Sequence, residues 1–253
     1  MTKLIEYGYN RKMNLNNSNN QTDIDEIRYL IVKFQVDGTL RFLSHSQMLS
    51  VFQRAIIRAD INPQYSQGFN PRPKVSLSLP RPVGVASDDE VLVVPINVSP
   101  ESIYDFAGYS GDNQNQSYVN NSSKILSAQL PQGCKLKEVK VVREKPHFQE
   151  CYASYVFTIS QEEMNKNIEK RINSLLSSES LVIERSINTK NTSKKIDVRG
   201  FLFSIIKEQN SIIVRCKIGL TGSIRVQEIM ELLELNMGQL VCPIKRTDVQ
   251  WLG

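Results

Sequence analysis

No two cysteines in this chain stand at C-x-x-C spacing, and no C-x-x-x-C-x-x-C run occurs. That excludes the usual zinc knuckle, the dithiol redox motif and the closely spaced thiolates of an iron–sulfur site. The four cysteines, Cys134, Cys151, Cys216 and Cys242, sit singly in apolar stretches such as VRCKI and LVCPI. That is the setting of buried, reduced thiols in a cytosolic protein. There are only two histidines, His45 and His147, so no site rests on several imidazoles, and no metal or cofactor is expected. No apolar run approaches the roughly 18 residues that a spanning helix needs, so no membrane segment is expected. The opening MTKLIEYGYNRK lacks the continuous apolar core of a secretory signal, which makes the cytoplasm the expected compartment.

What is present is an ordinary globular composition, 40% hydrophobic and 23% charged over 253 residues. That length suits one large domain or two small ones. Residues 1–27 are asparagine-rich and read as a disordered tail, because too little apolar surface is there to offset the ordering entropy. A second polar stretch, 109–124, reads as a loop insertion, and Lys124–Leu130 after it as a short helix. Between and after them, Tyr29–Val36 is dense in β-formers. Ser44 and Gln47 form an S-x-x-Q capping box, with Leu43 and Met48 placed for a hydrophobic staple. Met48, Phe52, Ala55, Ile56 and Ala59 then recur at helical spacing. Lys74–Leu79, Val91–Ile96 and Lys135–Val142 read as strands, and Leu40–Leu43 as extended chain. A second cycle follows, with strands at Cys151–Ile159, Leu181–Ser186, Val198–Ile206, Ile212–Ile218 and Leu240–Val249. Its helices are expected over Gln161–Leu176 and from Ser223 to Leu235, and Thr189–Lys195 reads as a polar turn. The order strand–helix–strands–helix–strand, twice, predicts an α+β protein of two tandem ferredoxin-like, split βαβ units with antiparallel sheets. The units are 28–146, carrying the insertion, and 147–253.

Charge is unevenly placed. The chain carries 31 Lys and Arg against 26 Asp and Glu, a net +5. The window from Arg41 to Ala86 holds Arg41, Arg54, Arg58, Arg72, Lys74 and Arg81 against one acid, Asp60. It therefore accounts for the whole surplus. Arg54 and Arg58 are one helical turn apart. Their face is either a solvated side with snorkelling arginines or a basic stripe aimed at phosphates or carboxylates. The loop Tyr65-Ser66-Gln67-Gly68-Phe69-Asn70-Pro71-Arg72-Pro73-Lys74 interleaves aromatics and amides with cations, the pattern of a single-stranded nucleic-acid contact. It also suits a rigid turn whose Tyr65 and Phe69 dock into the core. His45 stands in the first turn of the arginine helix, where the dipole favours neutral imidazole. It is either a capping-region hydrogen bonder or a base acting on a ribose hydroxyl. Arg199 and Arg246 lie at strand ends beside Asp197 and Asp248. They are either structural ion-pair arginines or two arms reaching one anionic site between the halves.

The run RFLSHSQMLSVFQRAIIRADINPQYSQGFNPRPKVSLSLPRPVGV resembles the opening of the radical-SAM-linked domain family of unknown function. LPQGCKL, KKIDVRG and IKRTDV look similar to later pieces of it, so the resemblance extends over about residues 28–250. The asparagine-rich tail, the 109–124 stretch and the end soon after Arg246 depart from it. In that family the domain stands beside, or is fused to the C-terminus of, a B12-binding radical SAM protein. The resemblance implies partnership with such an enzyme, in the role of an accessory protein. With no cluster motif of its own, this chain is not expected to start a radical. The expected function is a substrate-binding or docking partner for an anionic substrate such as RNA. Arg41, Ser44, Arg54, Arg58, Tyr65, Gln67, Phe69, Asn70, Arg72, Lys74, Arg199 and Arg246 are the candidate binding residues. The alternatives are a metal-independent ribonuclease using His45 and a pure protein–protein adaptor.

Overall fold

Alternating β-branched and aromatic residues in EIRYLIVKFQV make β1, Glu26–Val36, and a turn at Asp37 leads into a short 3-10 helix over Gly38–Phe42. Of the run Leu40–Leu43 expected to be extended, Leu40–Phe42 is thus wound, and Leu43 alone is extended. The Asp37 carboxylate accepts from the Gly38 amide and starts that turn. In this computed structural model the described residues are 26–98, 113–164, 167–187 and 192–252. Of the tail expected at 1–27, residues 1–25 fall outside them, and 26 and 27 already belong to β1.

Helix α1, His45–Arg58, starts at the expected box. The Gln47 amide donates to Ser44 Oγ at 3.3 Å, and the Gln47 side chain accepts from the Ser44 amide at 2.8 Å. Met48, Phe52, Ala55 and Ile56 are buried against Leu30, Val32 and Phe34 of β1. The Phe34 and Phe52 rings meet edge to face at 4.6 Å. β2 is only Ser76–Leu77, and β3 is the long Ala86–Val98. Helix α2, Asn113–Gln129, replaces most of the expected loop insertion. Its polar sequence hides a sparse stripe, Val119, Ser122 and Leu126, at helical spacing, whose Val119 and Leu126 pack on the core. β4 is Cys134–Val142.

The second half begins with β5, Glu150–Thr158. The expected 161–176 helix comes in two pieces, α3 (Gln161–Met164) and α4 (Ile168–Ser177), with Asn167 left-handed at φ 46° before α4. β6 (Val182–Ile187), close to the strand expected at Leu181–Ser186, pairs with β7 (Thr192–Asp197), which takes up the later part of the polar turn expected at Thr189–Lys195; residues 189–191 of that turn lie outside the described residues. TSKKID showed no strand pattern because little of it is buried; Ile183 and Ile196 pack inward. A 3-10 turn at Arg199–Phe201 precedes β8 (Leu202–Lys207), then β9 (Ser211–Ile218), α5 (Val226–Leu232) and β10 (Lys245–Leu252).

The fold is mixed α+β with a mostly antiparallel sheet. In the first half the strands lie in the order β4-β1-β3, with β2 beside β3. In the second the order is β10-β5-β9-β8. Every pairing within a half is antiparallel. β3 and β10 join the halves in one eight-stranded sheet by a short parallel register, Ala86 opposite Lys245 and Ser87 opposite Arg246. Among the described residues, no helix is long and apolar enough to cross a membrane.

Candidate functional site

The loop after α1 is built as a hairpin. Tyr65 bridges Pro73, the Ser66 amide donates to the Arg72 carbonyl at 2.8 Å, and the Lys74 amide to the Gln64 carbonyl at 2.7 Å. Ser66 Oγ accepts from the Arg72 amide at 3.0 Å. Its base is tied to β3, where the Gln64 amide reaches the Pro95 carbonyl at 2.7 Å. The tip is Gln67-Gly68-Phe69-Asn70, with Gly68 at φ 125°, a conformation side chains rarely adopt. Phe69 is 99% exposed and Tyr65 44% exposed. Neither aromatic docks into the core, so that sequence alternative fails. Gln67, Asn70, Arg72 and Lys74 are exposed as well.

Gln53 of α1 donates to the Pro73 carbonyl at 3.1 Å. This hydrogen bond fixes the hairpin beside the arginine helix, since Arg54 follows Gln53 and Pro73 lies between Arg72 and Lys74. Arg54 and Arg58 are exposed on the side of α1 away from its buried face. Their positions differ by about 6 Å along the axis. Arg54 Nε donates to the Ser50 carbonyl at 3.2 Å. Among the described residues, no carboxylate lies within ion-pair distance of Arg54, Arg58, Arg72 or Lys74.

The other expected binding residues are engaged elsewhere. Ser44 caps α1. Arg41 lies over the Phe42 ring at 4.3 Å and donates to the Gly38 carbonyl at 2.7 Å. Arg199 closes the end of α4, donating to the carbonyls of Ser178, Leu176 and Leu202 at 2.8–3.0 Å. Asp197 beside it accepts from the amides of Arg199 and Leu181, which hold its carboxyl below the usual range. Arg246 is 0% exposed and donates to Glu90 at 2.5 Å. The shared anionic site between the halves is therefore corrected: Arg199 is held by carbonyls of its own half, and Arg246 by Glu90 and the Leu79 and Pro80 carbonyls, with its Nε unpartnered among the described residues. At that junction burial lowers the Arg246 pKa, but Glu90 and Tyr155 more than offset it, so it ends raised.

Three features have surroundings that the sequence does not show. Arg81 counts there only as surplus charge, yet its guanidinium donates to five carbonyls, those of Arg41, Pro82, Val85, Leu40 and Leu43. Burial lowers its pKa, helped by Arg246 and opposed by Glu90. The flanking prolines in LPRPVG are the one available signal. His45 lines a small hollow of about 10 Å³ with Arg81 and Glu90, and among the described residues its buried Nδ1 has no hydrogen-bond partner. It faces inward at the helix start instead of joining the basic face. The third feature is a cleft of about 610 Å³ between the halves, walled by Leu79, Pro82, Val85, Ile224, Met230 and Ile244. Among the described residues, no cluster of three or more His, Cys, Asp or Glu could hold a metal.

The family described as "Uncharacterized protein conserved in bacteria (DUF2344)" matches residues 28–107 and 113–231. No curated protein matches the chain in sequence. Among solved structures, the crystal structure of the acetolactate synthase small subunit from Thermotoga maritima is similar over 89% of this chain and 96% of its own. The identity is 10% and the TM-score 0.22, a likeness too weak to carry anything over.

Proposed function

The chain belongs to this family of uncharacterized conserved bacterial proteins, and from that premise we propose that it is an accessory, substrate-holding partner of a radical SAM enzyme. The substrate class is RNA. One observation carries this reading: among the described residues, Arg54, Arg58, Arg72 and Lys74 stand without ion-paired carboxylates around a hairpin whose Tyr65 and Phe69 project into solvent. Solvated faces ordinarily mix both signs. Cations that follow a phosphate chain beside rings that stack on bases form the general single-strand binding pattern. The link to a B12-binding radical SAM protein rests on the sequence resemblance of Arg41–Lys74, and it puts both proteins in the cytoplasm. Each half, with strands ordered fourth, first, third, second, is read as one split βαβ unit. Two such units supply a rigid frame on which the helix and hairpin are held.

The experiment is an RNA-binding titration over a range of salt. Arg54→Ala with Arg58→Ala is expected to weaken binding and to flatten the log–log salt slope by about 0.7 for each phosphate no longer neutralised. Unchanged affinity and slope would remove the reading. Cleavage of the RNA that disappears in His45→Ala would replace it with the ribonuclease. Co-purification with the radical SAM protein that is abolished by charge reversal at Arg54 and Arg58, with no RNA bound, would replace it with the adaptor.

A further inference from the structure

We propose that the open face of the second-half sheet is a stacking surface for unpaired bases of single-stranded RNA. This rests on the RNA reading above and adds a second mode of binding, by base stacking, on different residues. On β5, Cys151, Ala153, Tyr155 and Phe157 point into the core, so Tyr152 points the other way. On β9, Ile212, Val214 and Cys216 are buried, so Arg215 shares Tyr152's side. The register of β8 shifts between Leu202 and Ser204. That bulge turns Phe203 outward, and it is 56% exposed.

The Tyr152 and Phe203 rings meet with centroids 4.7 Å apart, tilted 55°. The Arg215 guanidinium lies 5.0 Å from one centroid and 5.4 Å from the other. It also donates to Gln250 of β10. Phe203, Arg215, Tyr152 and Gln250 thus form a row across all four strands, β8-β9-β5-β10. Adjacent strands are about 4.8 Å apart, so the row spans about 14 Å. None of the four belongs to a buried cluster.

The chemistry of the row selects the occupant. Aromatics on the open face of a β-sheet stack unpaired bases, and here one stands on the inner strand β5 and one on the edge strand β8. Among the described residues, no carboxylate pairs with Arg215, and its Nε is buried without a partner. An apolar protein face would leave that cation without a counter-charge, whereas a nucleotide brings a phosphate. The Gln250 amide offers a donor and an acceptor to a base edge.

The test uses the full chain and a fluorescein-labelled twelve-nucleotide oligouridylate, followed by anisotropy. Tyr152→Leu with Phe203→Leu keeps apolar bulk and removes both π-faces. We expect binding about tenfold or more weaker, with the salt slope unchanged, because stacking releases no counterions. Tyr152→Phe and Phe203→Tyr should bind as the parent does. In parallel, an oligonucleotide carrying 2-aminopurine should lose fluorescence on binding the parent protein, a readout that needs no variant. Parent binding that survives the leucine pair, or unchanged 2-aminopurine emission, overturns the stacking surface. It leaves the basic face standing if Arg54→Ala with Arg58→Ala still weakens binding. No binding by the parent removes both. A leucine pair that binds RNA normally but turns a dimer into a monomer by light scattering assigns the face to a second copy and overturns the inference.

Discussion

Single residues separate into those that face water and those that the fold has enclosed, and charge or thiol chemistry follows from that division. Cys151 and Cys216 are buried, Cys134 is half-buried and Cys242 is exposed. The expectation that all four are enclosed fails at Cys242, which lies in the open segment before β10. Burial pushes the thiols of Cys134 and Cys216 up to about 12 and that of Cys151 to about 11. They stay protonated at pH 8, and the thiolate is the reactive form. Native protein treated with iodoacetamide at pH 8 is therefore expected to take one label, at Cys242, and four after denaturation. Mass spectrometry reads the outcome, and rapid native labelling of Cys216 would contradict the packing. The same division applies to the basic window. Its composition was legible from sequence, but not which members face out. Arg41 and Arg81 serve turn carbonyls, while Arg54, Arg58, Arg72 and Lys74 keep to the surface.

Elements were legible where a strong local signal existed. The box at Ser44 and the Met48–Ala59 stripe fixed α1, and Ser44→Ala should lower stability by about 1 kcal/mol in a urea titration. The end of α2 and strand β6 were legible, but the polar start of α2 and strand β7 were not, because few apolar residues mark them. α5 shows a different dependence on tertiary structure. Its start is set not by Ser223 but by Glu228, whose carboxylate accepts from the Arg225 amide at 2.7 Å and from Arg185 of β6 at 2.6 and 2.8 Å. Burial raises the Glu228 pKa, but these partners outweigh it and leave it lowered. A depressed carboxyl contributes stability above its unfolded value and loses it as pH falls through the folded value. Glu228→Gln should therefore cost about 1–3 kcal/mol at pH 7. The gap from the parent should close as pH falls from near 4.5, the ordinary value, through the lower folded value. Parallel urea titrations across that range check the sign.

At the scale of the whole molecule, the halves are coupled through a narrow joint. The β3–β10 register spans two residue pairs, and the Ala86 amide donates to the Ile244 carbonyl at 2.9 Å. Beside it lies the enclosed Arg246–Glu90 pair. Removing one partner of such a pair strands the other charge, at about 3–5 kcal/mol. Glu90→Ala is expected to show that loss, whereas Glu90→Leu with Arg246→Met should recover most of it, because no unpaired charge remains. A Glu90→Ala protein as stable as the parent would mean that solvent reaches Arg246. The joint could not be read from the sequence, since Glu90 and Arg246 are 156 positions apart and neither carries a local mark of its partner.

Periodicity and capping chemistry act over a few residues, so the chain by itself determined α1, most strands, the repeated strand–helix order and the composition of the basic window. Burial and long-range pairing depend on which distant segments meet. Only the tertiary structure decided that Arg199 and Arg246 are structural, that Phe69 stands in solvent, and that Tyr152, Phe203 and Arg215 share one open face.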